Sequence, residues 1–287
     1  MTPTLRACLW MIGAIFSFTS MAIAGRQVSF ALDTFEIMTY RSLLGIAIVV
    51  VVAGLSGTWR QVNTQQLGLH AVRNIAHFTG QNLWFFAIAV IPLAQVFALE
   101  FTTPIWALLL SPLLLGERMT RIGMLAALIG FVGVLVVTRP GSASVSPGLI
   151  AAALCAVCFA FSAIFTRRLT RTQSITCILF YLTTMQALFG LICAGFDGDM
   201  ALPDATTLPW LVLIGCAGLF AHFCLTTALS LAPASVVMPI DFVRLPAIAI
   251  VGALVYGEVI DPYILLGAAL IFGGNYLNIT RGQAPRV

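Results

Sequence analysis

Apolar runs, each closed by a turn residue or an arginine, recur along nearly the whole chain. A bilayer-spanning helix needs about 20 mostly apolar residues. Ten runs approach or exceed that length: 5–24, 34–55, 66–90, 92–115, 121–138, 147–166, 174–195, 208–231, 233–256 and 262–280. The joints between them are short: Ile91-Pro92, Gly116-Glu117-Arg118, Arg139-Pro140-Gly141, Arg167 to Arg171, Asp197 to Asp204, Pro233, and Asp261-Pro262. None could house a soluble catalytic domain. The pattern predicts an all-α polytopic membrane protein of ten transmembrane helices. Met1 to Ala24 carries only Arg6 ahead of its apolar run and leads into more membrane sequence, so we expect a retained first span rather than a cleaved signal.

Composition agrees. Of 287 residues, 60% are hydrophobic and 8% charged, and the mean hydropathy is +1.04; a soluble domain carries about 25% charged residues. There is no lysine, and the basic residues are 14 arginines. A net charge of +4 is then a matter of where the arginines stand, and no basic face for nucleic acid exists. With the N-terminus inside, the inner ends of the spans collect Arg6, Arg60, Arg118, Arg121, Arg167, Arg168, Arg171, Arg281 and Arg286. The outer ends keep Arg26 and Arg139, with Asp33, Glu36, Asp197, Asp199, Asp204, Glu258 and Asp261. Arginine excess marks the cytoplasmic side, which puts both termini in the cytoplasm and the chain in the cell inner or plasma membrane. The cysteines all lie in apolar runs; Cys155 and Cys158 form a CxxC without a second pair or a nearby histidine, and we read them as small packing residues, with no metal site.

Shifted by 141 residues, the sequence registers on itself. "WFFAIAVIPLAQVFALEF" (84–101) lies over "LTTALSLAPASVVMPIDF" (225–242), so that Pro92 meets Pro233, Glu100 meets Asp241 and Phe101 meets Phe242. Gly116-Glu117 falls on Gly257-Glu258, Gly133 on Gly274 and Gly141 on Gly282, with Pro104 and Pro246 one residue out of register. The halves, 1–141 and 147–282, hold five spans each. An odd number makes the second half enter the membrane upside down, and inverted repeats of this kind place a binding site near midplane at their interface in secondary transporters.

Ten spans, the five-plus-five repeat and the passage "LLLGERMTRIGMLAALIGFVGVLVV" with its weaker echo resemble the drug/metabolite transporter superfamily, and within it the EamA-type carriers. "FEIMTYR" (35–41) and "LHAVRNIAHFTGQNLWFFAIAVIPLAQV" (69–96) resemble the subgroup that contains S-adenosylmethionine uptake carriers. The resemblance implies a secondary carrier of a small organic metabolite, an amino acid or derivative such as an S-adenosylmethionine-like zwitterion. Riboflavin and other vitamin or drug carriers share the architecture. No phosphate-binding GxxxxGK[ST] loop is present, nor HExxH or GxSxG, so we expect neither an ATP-driven pump nor an enzyme, and no cofactor. From a different class, an intramembrane receptor or scaffold without transport fits the same composition. Monomer and homodimer both stay open, as do a proton and a counter-substrate as the coupling partner.

Ionisable side chains inside spans are costly and face a cavity or a partner. Five qualify: Arg41, Arg73, Glu100, Asp241 and Arg244. Matched by depth, they predict an outer Arg41–Glu100 pair and an inner Arg73–Asp241 pair, with Arg244 left near midplane as an anchor for an anionic group. Alternatively Arg244 pairs with Asp241, one turn away on the same face. In the third span Arg73, His77, Gln81 and Trp84 form one stripe, with His70 and Asn74 alongside, and the repeat sets Gln81 over His222. We expect His77, Gln81, Trp84, His222, Arg244, Tyr181 and Phe101 to line a substrate cavity; His70 or His77 could instead carry a coupling proton. Prolines concentrate in the fourth and ninth spans, Pro92, Pro104, Pro112, Pro233, Pro239 and Pro246, and mark them as hinged gate elements. Ala126, Gly130, Gly133, Gly267 and Gly274 make the fifth and tenth spans a close-packing scaffold.

Overall fold

In the computed structural model, the described residues are 3–115, 120–139, 146–196, 198–231, 240–241 and 243–281. Gly116-Glu117-Arg118, Pro140-Gly141, Asp197, Pro233, Pro239, Phe242, Gly282 and Arg286 lie outside them. Eleven α-helices run through the described residues: α1 (Pro3–Val28), α2 (Thr34–Leu55), α3 (Leu67–Val90), α4 (Leu93–Glu100), α5 (Thr103–Leu115), α6 (Arg121–Thr138), α7 (Pro147–Leu169), α8 (Ile175–Ala194), α9 (Leu208–Leu231), α10 (Arg244–Tyr256) and α11 (Pro262–Arg281). Eight segments, one of them Leu93–Leu110 across α4 and α5, are long and apolar enough to cross a membrane. The helix α3 is long but carries the polar stripe, and α10 spans 13 residues. The outer faces of the helices are apolar: Leu55, Leu113 and Leu254 are exposed, as lipid-facing positions should be.

The expected fourth span is two helices, for a reason the sequence contains. Proline lacks the N–H that would bond the carbonyl four residues back, and it pushes the residue before it out of the helical region. Pro104 therefore frees the carbonyl of Glu100, which the Thr103 hydroxyl takes at 2.6 Å, while Asn275 Nδ2 donates to the Phe101 carbonyl at 2.8 Å. The break at Phe101-Thr102 turns Glu100 and Phe101 inward. The second half repeats the arrangement: residues 240–241 are helical, Val243 makes a turn, and α10 opens at Arg244. Pro246 sits in its first turn, where the missing N–H costs nothing.

Helix pairing follows a rule. The most extensive contacts join α1 to α9, α3 to α7, α2 to α8 and α6 to α11. A shift of 141 residues carries α1 onto α7, α2 onto α8, α3 onto α9 and α6 onto α11, and maps this set of pairs onto itself. The α6/α11 seam is backbone on backbone: a Cβ on Gly133 would come within 2.6 Å of the Gly267 carbonyl, one on Gly267 within 2.6 Å of the Gly133 carbonyl, and one on Gly274 within 2.6 Å of the Ala126 carbonyl. The small-residue scaffold therefore joins the two halves within one chain. At one loop, Asp33 caps α2 in a capping box with Glu36, whose other carboxylate oxygen accepts the Ala201 N–H, and Tyr40 donates to the Ala201 carbonyl at 2.7 Å. That ties the 199–204 loop onto the start of α2.

Candidate functional site

The kink at Phe101 and the turn at Val243 bring the repeat-related acids to one point. Arg244 donates through Nη2 to Glu100 at 3.2 Å and to Asp241 at 3.0 Å. The second oxygen of Glu100 accepts the Trp84 indole N–H at 2.7 Å. Around the guanidinium stand the rings of Phe18, Phe97 and Phe101, at 4.7, 5.0 and 5.0 Å. Arg244, Trp84, Phe97 and Phe101 are all buried. Two carboxylates against one guanidinium leave the cluster one negative charge in excess when all three are ionised. A desolvated cation is stabilised by aromatic faces, and a charge buried away from water persists only when paired and hydrogen-bonded. Capacity remains: Asp241 Oδ1 and Arg244 Nε have no protein partner among the described residues.

A second polar group adjoins this one along α3. Arg41 donates to the Gln81 side-chain oxygen. His77 lies 3.4 Å from the Ser162 hydroxyl through Nδ1, and its ring faces that of His222 at 6.0 Å. The edge of Phe18 meets His222 at 5.7 Å, so one ring touches both groups. A narrow cavity between α2, α8 and α9 is lined by Arg41, Ser42, Thr183, Gln186, Gly218 and His222. Further along α3, Arg73 donates to the Thr166 hydroxyl at 3.0 Å and to Asn74 at 2.7 Å, and the rings of His70 and Tyr181 meet at 4.6 Å.

The depth-matched pairs expected from sequence do not form. Glu100 sits on α4, which packs on α10 and α7, whereas Arg41 sits on α2, which packs on α8 and α9; the two share a depth but not a face. Arg73 points at α7 rather than at Asp241. Arg244 is not left alone either, since it holds both acids, including Asp241 at the one-turn spacing. Of the expected lining residues, Trp84, Phe101 and Arg244 gather with Glu100 and Asp241. His77, Gln81 and His222 gather with Arg41, while Tyr181 stands apart with His70 and Asn74.

Two features escaped the sequence reading. Phe18 and Phe97 are walls of the central cluster; Phe18 looks like any aromatic in an apolar helix, and its one signal is that the 141-residue shift lays it on Phe159, which packs on His77 at 5.8 Å. The other is Arg26, which is 7% exposed. Pro92 leaves the Ile88 carbonyl without a helical donor, and Arg26 donates to it, to the Ile91 carbonyl and to Glu258. Glu258 in turn accepts the otherwise orphaned N–H of Leu93 at 3.0 Å, and Tyr256 lies over the guanidinium at 4.9 Å. The sequence lists both charges as span-end residues; the structure ties them into a lock between α1, the α3/α4 joint and the end of α10. Arg139 and Asp261 form a second pair, joining the end of α6 to the start of α11.

These features define a multi-pass membrane protein with a buried ionic and aromatic centre between two sets of helices. The model of the EamA-like transporter family matches residues 5–139 and again 146–280. The chain belongs to that family, within the drug/metabolite transporter superfamily, and so among transporters rather than enzymes. A riboflavin transporter of Vibrio cholerae is 29% identical over 93% of this chain and 90% of its own. An S-adenosylmethionine uptake transporter of Rickettsia bellii is 22% identical over 91% of this chain and 89% of its own. A solved crystal structure superposes with a TM-score of 0.65 at 20% identity, covering 94% of this chain and 95% of that one; at that identity it establishes the shared fold.

Proposed function

We propose that this chain is a secondary-active carrier of a small organic metabolite, working by alternating access between two inverted five-span repeats, 1–141 and 147–282. The observation that carries the reading is the meeting of Glu100 and Asp241, equivalent residues of the two repeats, at one arginine inside aromatic walls. A site on the axis relating two inverted halves can be offered to either face by rocking one half against the other. The tenfold span count follows when α3 and the segment from residue 240 through α10 join the eight apolar spans. A short or interrupted helix at membrane depth is tolerated where it lines a cavity. Arginine placement then puts both termini in the cytoplasm of a cell whose inner or plasma membrane holds the chain, and assigns the Arg26–Glu258 lock to the outer face, as the outer gate. A proton carried by His77 or His222, or a counter-substrate, couples transport.

Excess negative charge among aromatic rings suits a substrate with a cationic or conjugated part. An amino acid or derivative, with an S-adenosylmethionine-like zwitterion as the type, is the first reading. A flavin is the second, favoured by the greater identity to the named riboflavin transporter and by the rings of Trp84, Phe97 and Phe101. Counterflow decides between them. Proteoliposomes preloaded with unlabelled methionine, S-adenosylmethionine or riboflavin should take up the matching labelled compound saturably, with the zwitterions exchanging and riboflavin not. Exchange of riboflavin alone moves the assignment to the second reading. No saturable exchange with any of them removes the carrier reading in favour of a receptor or scaffold.

A further inference from the structure

In the central cluster Arg244 is already engaged by two carboxylates, Glu100 and Asp241, which disfavours a third anion there. The interior nonetheless contains two more arginines, and neither Arg41 nor Arg73 has a carboxylate within 4 Å among the described residues. Arg73 is satisfied by Thr166 and Asn74. Arg41 donates through Nη1 to Gln81, with the Met38 sulfur 3.7 Å away, and it lines the narrow cavity between α2, α8 and α9.

Beside the guanidinium the cavity wall mixes glycines and leucines with a few polar groups. Gln186 is 2% exposed and lines it, and its Nε2 amide has no protein partner among the described residues. Ser42 brings a hydroxyl and His222 a ring nitrogen; no acid is among the described residues that line the space. Gly218 keeps the guanidinium open, because a Cβ there would stand 3.2 Å from Arg41 Nη2. A buried, planar cation flanked by an unpartnered amide is the geometry that binds a carboxylate through two parallel N–H bonds. Arg41 is held by Gln81 and Glu100 by Trp84, and those two stand three residues apart on α3, so the cavity and the acid cluster adjoin neighbouring turns of one helix.

We propose that Arg41, with Gln186 and His222, binds the carboxylate of the transported molecule while Glu100 and Asp241 take its cationic end. This rests on the carrier reading and adds the site that holds the anionic end of the zwitterion, apart from the acids that hold its cationic end. The anchor for the anion is thus Arg41 rather than Arg244.

The test compares pairs of probes that differ only at the carboxyl. Thermal shift of the purified full-length protein is measured with methionine and S-adenosylmethionine against their methyl esters, in wild type, Arg41→Gln, Arg41→Lys and Gly218→Ala. For at least one pair the free acid should bind wild type about tenfold more tightly than its ester, a difference of about 1.4 kcal/mol. Arg41→Gln should erase that preference and Gly218→Ala should weaken it, while Arg41→Lys keeps a part. Equal shifts with acid and ester on wild type, no shift included, overturn the proposal. So does a preference that survives in Arg41→Gln. If Arg41→Gln unfolds, Gly218→Ala decides alone by the same criterion. Failure here with counterflow intact removes the carboxylate site and leaves the carrier, whereas loss of counterflow with every substrate removes the carrier itself.

Discussion

Replacing Arg244 with glutamine is expected to reduce transport to background and to lower the thermal midpoint of the purified protein. The substitution strips Glu100 and Asp241 of their shared cation inside a cluster that is buried. Removing one partner of a buried ion pair costs about 3–5 kcal/mol, because the partner is left charged and unpaired. Here two carboxylates are stranded by one change. The triple variant Arg244→Gln, Glu100→Gln, Asp241→Asn removes all three charges at once, and should recover most of the thermal stability while remaining inactive. Uptake assays and thermal melts on the single and triple variants check this. Full transport by Arg244→Gln would exclude the cluster from the transport site. A triple variant as unstable as the single one would show that the arginine acts through packing against Phe18, Phe97 and Phe101 rather than through charge.

Gly267→Val is expected to have the largest structural effect of any single change outside that cluster. The new side chain would meet the Gly133 carbonyl at 2.6 Å and the side chain of Val137 at 2.5 Å. Overpacking a side chain into filled space costs about 1–3 kcal/mol where neighbours can move, and a helix backbone has little room to do so. The helices α6 and α11 would have to separate, and with them the two halves. Gly273→Val is the control on the same helix: nothing lies within 4 Å of its Cβ position, so it should melt like wild type. Expression level and monodispersity in detergent report both.

Much of this architecture was legible in the sequence because it is periodic or punctuated. Long apolar runs marked the helices, the prolines marked 92–115 as a hinged segment though not as two helices, and the 141-residue register set Glu100 over Asp241, which meet at Arg244. The polar stripe of α3 was legible for the same reason, since Arg73, His77, Gln81 and Trp84 share a face at helical spacing. The ion pairs were not. Counting residues from a span end gives depth, but which helix a side chain meets depends on rotation about the axis and on the neighbour that packs there. Arg41 and Glu100 agree in depth and diverge in direction. Arg26 and Glu258 escaped for a different reason: both sit at span ends, where a charge needs no explanation, and nothing local says that Pro92 has left a carbonyl and an N–H for them to satisfy.

The proposed alternating-access reading requires the two repeats to run in contrary orientations, and one labelling experiment tests that requirement. Ser29 follows the first span and Thr170 occupies the same place 141 residues later. Single cysteines at these two positions, in a variant whose seven native cysteines are replaced by alanine or serine, are treated with a membrane-impermeant maleimide on intact cells and again after permeabilisation. Inverted repeats require Ser29→Cys to react from outside and Thr170→Cys to react only once the membrane is opened. Reaction of both from the same side would mean that the halves run parallel, and no shared site on an in-plane axis could then exist.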